Sequence, residues 1–431
     1  MTANLRHSVR LIDLVMLGAG TAIGAAIFTV LGPAAKVGGY GVLIATILAA
    51  LPMGLFAVVY AYLASTAPRT AASFEWQRQF TSPALAFAIV WMRVLSNAVV
   101  MIVLARVLIS YLSMVLPLPA TPTILGFFAL IFALNYIGVA VAARAQTILM
   151  ILLLGALSIF VFAAAPKFDP QLFVKATEGG ILPILAALPL MIQLFLGIET
   201  ATEVGEEVAD AERKIPLGMA GALTLTVVVY LAVTFAAMSA VGPEVLAVSK
   251  APLLDAAKAV LGPVATPLIV TAAVFALAKS MNAVFLVYAR FLFAMGRAGV
   301  LPAALGRVHP KFGTPHVASI VALCGCVTAV FLPSSLLFLL LAVNVPTMMK
   351  YFGTCLAAFN VAKSHPEVHA AARLKFSQGT VKVLAALGCV AAVVIAALGF
   401  GTDWRPYGML LIWLALGMAW YAWGAGRRAA A

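Results

Sequence analysis

Long apolar runs alternate with short polar segments along the whole chain. About twelve of these runs reach or approach about 20 residues, the length that an α-helix needs to cross the hydrocarbon core of a bilayer. The pattern predicts an all-α integral membrane protein with about twelve transmembrane helices, of which the ninth is short. The approximate bounds of the runs are 11–31, 40–65, 83–116, 122–142, 147–165, 182–204, 217–241, 264–295, 317–332, 335–361, 381–400 and 406–423.

The composition agrees with this fold class. Only 10% of the 431 residues are charged and 64% are hydrophobic, whereas soluble domains carry about 25% charged residues. The net charge of +13 would suggest a nucleic-acid partner if the basic residues were spread evenly. Most of them fall in alternate loops, and the positive-inside rule then places these loops and both termini in the cytoplasm. We predict a multi-pass protein of the cytoplasmic membrane, surrounded by lipid bilayer and without a nucleic-acid partner.

Two of the predicted spans contain glycine near their middle. The first span has the sequence GAGTAIGAAIF at 18–28, and the sixth has FLGIET at 195–200. Glycine allows the backbone to leave the helix and expose its polar groups to a ligand. Interruptions at corresponding positions of two halves are typical of an inverted-repeat transporter with its site at the bilayer midplane. The alternative, strongest for Gly18 and Gly20, is that the glycines only allow close helix packing.

Four separated stretches resemble, in the same order, motifs of the amino acid–polyamine–organocation (APC) transporter family. They are IGAAIF at 23–28, PRTAASFE at 68–75, the segment 197–216 with GIE, EE and IP, and the loop 289–315 after the eighth span. The resemblance extends over the first ten spans. It implies a LeuT-type five-plus-five inverted repeat, with one repeat in 1–165, the second in 166–363 and two further helices in 364–431.

The chain departs from the family pattern at several positions. Ala26 replaces a glycine of the first span, Ala71 and Ala72 replace loop glycines, and Asp210-Ala211 replaces Asn-Pro. Some family members have a lysine in the fifth helix that stands in for a coupling sodium ion, and the fifth span here has none. The coupling ion therefore does not follow from the resemblance.

The resemblance implies a secondary active transporter that moves a small amino acid by alternating access. N–H groups of Ala25, Ala26 and Ile27, at the start of a helix, suit the substrate carboxylate. Carbonyl groups around Ile23 and Ile198 would face the substrate ammonium, and glycines would permit this geometry. The predicted substrate-binding residues are Ile23, Gly24, Ala25, Ala26, Ile27, Phe195, Gly197, Ile198 and Glu199.

Ionisable residues inside spans are costly and are therefore candidates for function. Glu199 and Glu203 are four residues apart in the sixth span, where they could bind an amino group or relay a proton. The alternative is a structural ion pair with Lys279 or Lys350. Lys279 lies in the eighth span, which in sodium-driven relatives faces the first helix where sodium binds. We predict that Lys279, Glu199 and Glu203 are the coupling residues and that transport is sodium-independent, by proton coupling or by exchange.

Basic residues near the span ends have other predicted roles. Arg290 is predicted to close a cytoplasmic gate by pairing with Glu206 or Glu207. Arg93, near the cytoplasmic end of the third span, is expected to extend towards the interface.

Two rival functions use the same fold. Glu199 would also suit an arginine- or polyamine-type exchanger of cationic substrates, and a substrate-sensing homologue would bind without transporting. An enzyme is not predicted, because the sequence shows no metal cluster, nucleophile triad or phosphate loop. No cofactor is predicted, and a partner subunit does not follow from the sequence.

Overall fold

The computed structural model describes residues 9–24, 26–249, 251–332, 336–397 and 404–429. Within these ranges the chain is helical almost throughout, with isolated bridges in place of strands. The α-helices, in chain order, are α1 Leu11–Ala22, α2 Ala26–Thr29, α3 Leu31–Gly38, α4 Val42–Ala64, α5 Ala72–Phe80, α6 Pro83–Leu112, α7 Ala120–Ile137, α8 Val139–Ala164, α9 Gln171–Glu178, α10 Ile181–Ile192, α11 Ala211–Val248, α12 Pro252–Leu261, α13 Ala265–Arg297, α14 His316–Ala329, α15 Leu336–Ser364, α16 Pro366–Ala371, α17 Gln378–Ala397 and α18 Arg405–Ala429.

The described helices confirm the all-α membrane class. Within the described ranges, ten helical segments are long and apolar enough to cross a membrane. The shorter apolar helix α14 and the 29-residue helix α15 account for the ninth and tenth predicted spans. The first span is longer than its hydropathy indicated, because helix continues through α3 to Gly38 although Lys36 is exposed there.

Among its described residues, the first span has one interruption. Helix α1 ends at Ala22, and helix resumes at Ala26. Helices α2 and α3 continue one another, because Val30 donates to the carbonyl of Ala26 and Ala34 donates to that of Val30, at 2.8 and 2.9 Å. The interruption therefore leaves one helix end and one helix start facing each other inside the membrane.

Gly18 and Gly20 do not form this interruption. Both are helical within α1, where they allow close packing. A Cβ atom on Gly18 would lie 2.8 Å from the carbonyl oxygen of Ile198, and one on Gly20 would overlap the amide of Gln146. For these two glycines the packing explanation is the correct one.

The sixth span unwinds where it was predicted to. Helix α10 ends at Ile192, and Gly197 adopts a φ of 107° that strongly favours glycine. The chain then continues as 3-10 turns through Ile198–Glu203 and Gly205–Glu207 before α11 begins at Ala211. This segment contacts α1 beside the break of the first span.

The loop after α4 forms a short buried helix, α5. The side chains of Ser73, Phe74 and Trp76 in α5 are fully buried, and the helix packs against α6 and α15. Its preceding residue, Ala71, has a left-handed φ of 52°. This is one of the positions where the family pattern has glycine.

Candidate functional site

The two interrupted spans meet at their breaks. A Cβ atom on Gly197 would lie 2.5 Å from the Thr21 side chain, so the sixth span passes directly over the end of α1. Tyr230 of α11 donates its hydroxyl to the carbonyl of Ala22, the last residue of α1, at 2.6 Å. Phe195 packs edge-on against the same tyrosine, with ring centroids 5.6 Å apart.

The predicted substrate residues gather around this junction. Ile23, Ile27, Phe195 and Ile198 are all at most 2% exposed, so the site is closed in this structure. Ala25 lies outside the described residues. Ala26 and Ile27 are the first residues of α2. The first N–H groups of a helix have no hydrogen-bond partner within that helix.

Gly24 lies where the first span approaches α13. A Cβ atom at Gly24 would be 2.6 Å from the hydroxyl oxygen of Ser280. Gly24 itself donates its N–H to the carbonyl of Ala22 at 2.7 Å. Glycine is therefore needed at this position because α13 lies too close for a side chain.

Lys279 joins α13 to the break in the first span. Its ammonium donates to the carbonyls of Gly20 and Ile23, each at 2.5 Å, and the side chain is fully buried. Ser280 also donates to the Gly20 carbonyl, at 3.2 Å. Oxygen ligands from backbone carbonyls are what a bound alkali or alkaline-earth cation would use. The ammonium thus supplies a positive charge where these carbonyls converge.

This geometry corrects one expectation and argues against one alternative. The Ile23 carbonyl was expected to face a substrate ammonium, but it is engaged by Lys279. An ion pair was the alternative for Lys279, yet its hydrogen bonds in the described part of the chain go to carbonyls and not to carboxylates.

Glu199 is held at the break of the sixth span by three donors. Lys350 of α15 lies 2.7 Å from one carboxylate oxygen, and Tyr351 donates its hydroxyl to the other at 2.6 Å. The backbone N–H of Gly197 donates to that second oxygen at 3.1 Å. Of the two ion-pair partners considered, the structure selects Lys350.

Glu203 connects the same ammonium to α5. Lys350 lies 3.8 Å from a Glu203 oxygen, and Ser73 donates both its hydroxyl and, at 3.2 Å, its N–H to this carboxylate. The backbone carbonyl of Glu203 also accepts from Ala71 at 2.9 Å. The segment Ile198–Glu203 is a 3-10 helix, and both of its carboxylates approach one lysine.

The face of the molecule where α1 begins, here called the N-terminal face, is closed by ion pairs. Arg290 of α13 forms a two-pronged pair with Glu207, at 2.8 and 2.9 Å, and both side chains are at most 4% exposed. Glu206 was the other candidate partner, but it pairs with Arg297 at 2.8 Å in a more exposed position.

Arg93 does not extend to the interface as expected. It is 9% exposed and donates to Ser96, Asn97 and Thr347, at 3.1, 2.9 and 2.7 Å. The last of these lies one turn before Lys350 on α15.

Sequence reasoning missed Tyr351 and Ser73 as members of the site. They carry ordinary packing residue types, and their partners lie far away in the chain, 152 residues for the Tyr351–Glu199 bond. The only sequence signal was the unusual lysine beside Tyr351 within an apolar span.

The helices, their paired breaks and the buried charges together define a multi-pass membrane transporter. The sequence model of the amino acid permease family matches residues 10–418, so the chain belongs to this family, which lies in the APC superfamily and consists of transporters and not enzymes.

Several curated proteins are similar to the chain. An uncharacterised transporter of Mycobacterium tuberculosis is 30% identical over 74% of this chain and 72% of its own length. A methylthioribose transporter and the branched-chain amino acid permease BcaP, both of Bacillus subtilis, are 25% and 26% identical. Each of these two alignments covers 97% of this chain and 93% of the relative.

Proposed function

We propose that the protein is a secondary active transporter of a small neutral amino acid, which works by alternating access and without sodium. The observation that carries the proposed sodium independence is the pair of hydrogen bonds from Lys279 to the carbonyls of Gly20 and Ile23. The meeting of the two helix breaks at Thr21 and Gly197 supports the proposed substrate site. The protein would lie in the cytoplasmic membrane with both termini inside. Its repeats would be 1–165 and 166–363, followed by the two helices of 364–431.

The substrate would bind between the two breaks. Its carboxylate would accept hydrogen bonds from Ala26 and Ile27 at the start of α2, where the helix dipole also favours negative charge. Its ammonium would face the carbonyl of Ile198, since that of Ile23 is engaged. The apolar side chains of Ile27 and Phe195 suit an uncharged apolar substrate side chain. The Bacillus relatives are named for the transport of methylthioribose and of branched-chain amino acids. These names support a small substrate with an apolar part.

Lys279 would take the place of a coupling sodium ion. A fixed positive charge repels a second cation strongly where little water screens it. The same ammonium already supplies the bond between α1 and α13 that a bound cation would make. Transport would then be driven by protons or by exchange, with Lys279, Glu199 and Glu203 as the candidate coupling residues.

Alternating access requires the N-terminal face to open in another state. The Arg290–Glu207 pair would be broken there, and it would serve as a cytoplasmic gate, with Glu206 and Arg297 at its rim. A closed substrate site would correspond to a stage between the two open states.

The rival exchanger of cationic substrates has less support. Both oxygens of Glu199 accept hydrogen bonds from protein groups, so the carboxylate is not free for a second substrate ammonium. The rival sensor would bind a substrate and not carry it.

One experiment separates transport from sensing. Purified protein is screened against amino acids and amines by thermal shift, because a ligand of the native state raises its melting temperature. The stabilising ligand is then offered, radiolabelled, to liposomes that contain the protein. We expect stabilisation by a neutral amino acid such as L-leucine and its accumulation in the vesicles. Stabilisation without flux would identify a sensor.

A further inference from the structure

Lys350 stands between the two buried carboxylates of the sixth span. Its ammonium lies 2.7 Å from Glu199 and 3.8 Å from Glu203, and the side chain is 2% exposed. Neither glutamate is held by another lysine or arginine within salt-bridge distance in the described ranges. The charge that balances Glu199 beside the break at Gly197 is therefore supplied by α15.

The lysine is fixed in this position from several sides. The ammonium lies near the rings of Tyr60 and Tyr351, 6.0 and 5.5 Å from their centroids, where cation–π attraction adds to the ion pair. Gln77 of α5 donates its amide to the Lys350 carbonyl at 3.1 Å, which anchors this turn of α15.

Arg93 cannot replace this ammonium without rearrangement. Its guanidinium hydrogen-bonds Ser96, Asn97 and Thr347, all of them neutral groups. Removing the Lys350 charge would therefore leave Glu199 with Tyr351 and the Gly197 N–H as its donors. A buried carboxylate in that state strongly favours a new cationic partner.

We infer that Lys350 is a specificity-determining residue, which neutralises Glu199 and so excludes substrates with a cationic side chain. This inference rests on the proposed transport of a neutral amino acid through the same site. A substrate ammonium that approached Glu199 would meet a like charge already in place, and unfavourable pairing of this kind is how sites reject a competitor. Removing Lys350 would turn Glu199 into a binding group for a cationic side chain.

The test uses two competitors that differ in one charged group. Uptake of labelled L-leucine into proteoliposomes is measured against L-norleucine and against L-lysine, which has the same carbon chain with a terminal ammonium. The proteins compared are the wild type, Lys350→Met, Lys350→Arg and the double variant Glu199→Gln/Lys350→Met. Gel filtration in detergent confirms that each variant is folded.

We expect norleucine to compete with leucine in the wild type and lysine to compete at least about tenfold less well. In Lys350→Met the ratio should shift towards lysine by at least about tenfold. Lys350→Arg keeps the charge and should keep the wild-type ratio. The double variant removes the carboxylate as well and should lose the gain in lysine competition.

Three results would overturn the inference: equal competition by lysine and norleucine in the wild type, an unchanged ratio in folded Lys350→Met, or a gain that persists in the double variant. The comparison of lysine with norleucine in the wild-type protein tests the inference even if Lys350→Met fails to fold. A wild-type protein that transports no neutral amino acid would contradict the proposed function and, with it, this inference. If the wild-type protein takes up leucine and also accepts lysine, this inference is contradicted but the proposed function is not.

Discussion

Arg290 and Glu207 form a buried ion pair with two parallel hydrogen bonds, at 2.8 and 2.9 Å, which fastens α13 to the segment before α11. Beside it, Val9 donates its N–H to the carbonyl of Glu207 at 3.2 Å. Glu207 thus connects three parts of the molecule, which are the chain that precedes α1, the unwound sixth span and α13. We propose that closure of the N-terminal face depends on this point.

Breaking this pair should cost much more than breaking its neighbour. We expect Glu207→Gln to destabilise the protein by about 3–5 kcal/mol, because it leaves Arg290 buried without its charge partner. The control is Glu206→Gln, which removes the half-exposed pair with Arg297 and should cost at most about 1 kcal/mol. Melting temperatures in detergent compare the two variants. Equal shifts would show that the buried pair has no special role.

The contact between Gly24 and Ser280 gives a second prediction. Gly24→Ala should reduce leucine uptake, because the new Cβ would lie 2.6 Å from the serine hydroxyl oxygen and push the break of the first span away from α13. Adding Ser280→Ala removes that oxygen and should restore a large part of the uptake. Gly126→Ala is the control, since a Cβ there meets no atom within 4 Å among the described residues. A double variant no better than Gly24→Ala would refute the steric explanation.

Much of this architecture could be predicted from the sequence, because long apolar runs and mid-span glycines are local signals. The break at Gly197 and the position of Lys279 in the eighth span were visible in this way. The partner of Glu199 was not, because Lys350 is 151 residues away and the sequence offered Lys279 as an equal candidate. The packing of the helices determines which lysine pairs with Glu199. It also determines the surroundings of Gly18 and Gly20, which are formed by other helices.

Ala71 gives a third prediction, which concerns stability. Its left-handed φ of 52° is unfavourable for alanine, so Ala71→Gly should stabilise the protein by up to about 1 kcal/mol. Ala72→Gly is the matched control. As the first residue of α5 it has helical geometry, and the same change should destabilise by about 0.5–1 kcal/mol. Thermal unfolding of both variants tests the opposite signs, and a loss of stability in Ala71→Gly would contradict the prediction.

A fourth prediction concerns the substrate carboxylate. If the N–H groups of Ala26 and Ile27 bind it, isopentylamine, the decarboxylated form of leucine, should compete far more weakly than leucine itself. The amine also carries a net positive charge, so the comparison is repeated in Lys350→Met. The defect should persist there, because it reflects lost hydrogen bonds and not charge exclusion. Normal competition by the amine would show that these N–H groups do not bind the substrate carboxylate.

A last prediction concerns sodium and the role of Lys279. Because Lys279 already places a positive charge at the carbonyls of Gly20 and Ile23, transport should need no sodium ion. Lys279→Ala should impair uptake severely, whereas Lys258→Ala, which alters an exposed lysine of α12, should not.

The decisive measurement is the uptake of labelled L-leucine into leucine-loaded proteoliposomes that contain the wild-type protein, with sodium present on both sides or replaced throughout by choline. We expect the same initial rate in both media. A rate that disappears in choline and returns with added sodium would contradict the assignment of Lys279, whatever the variants do.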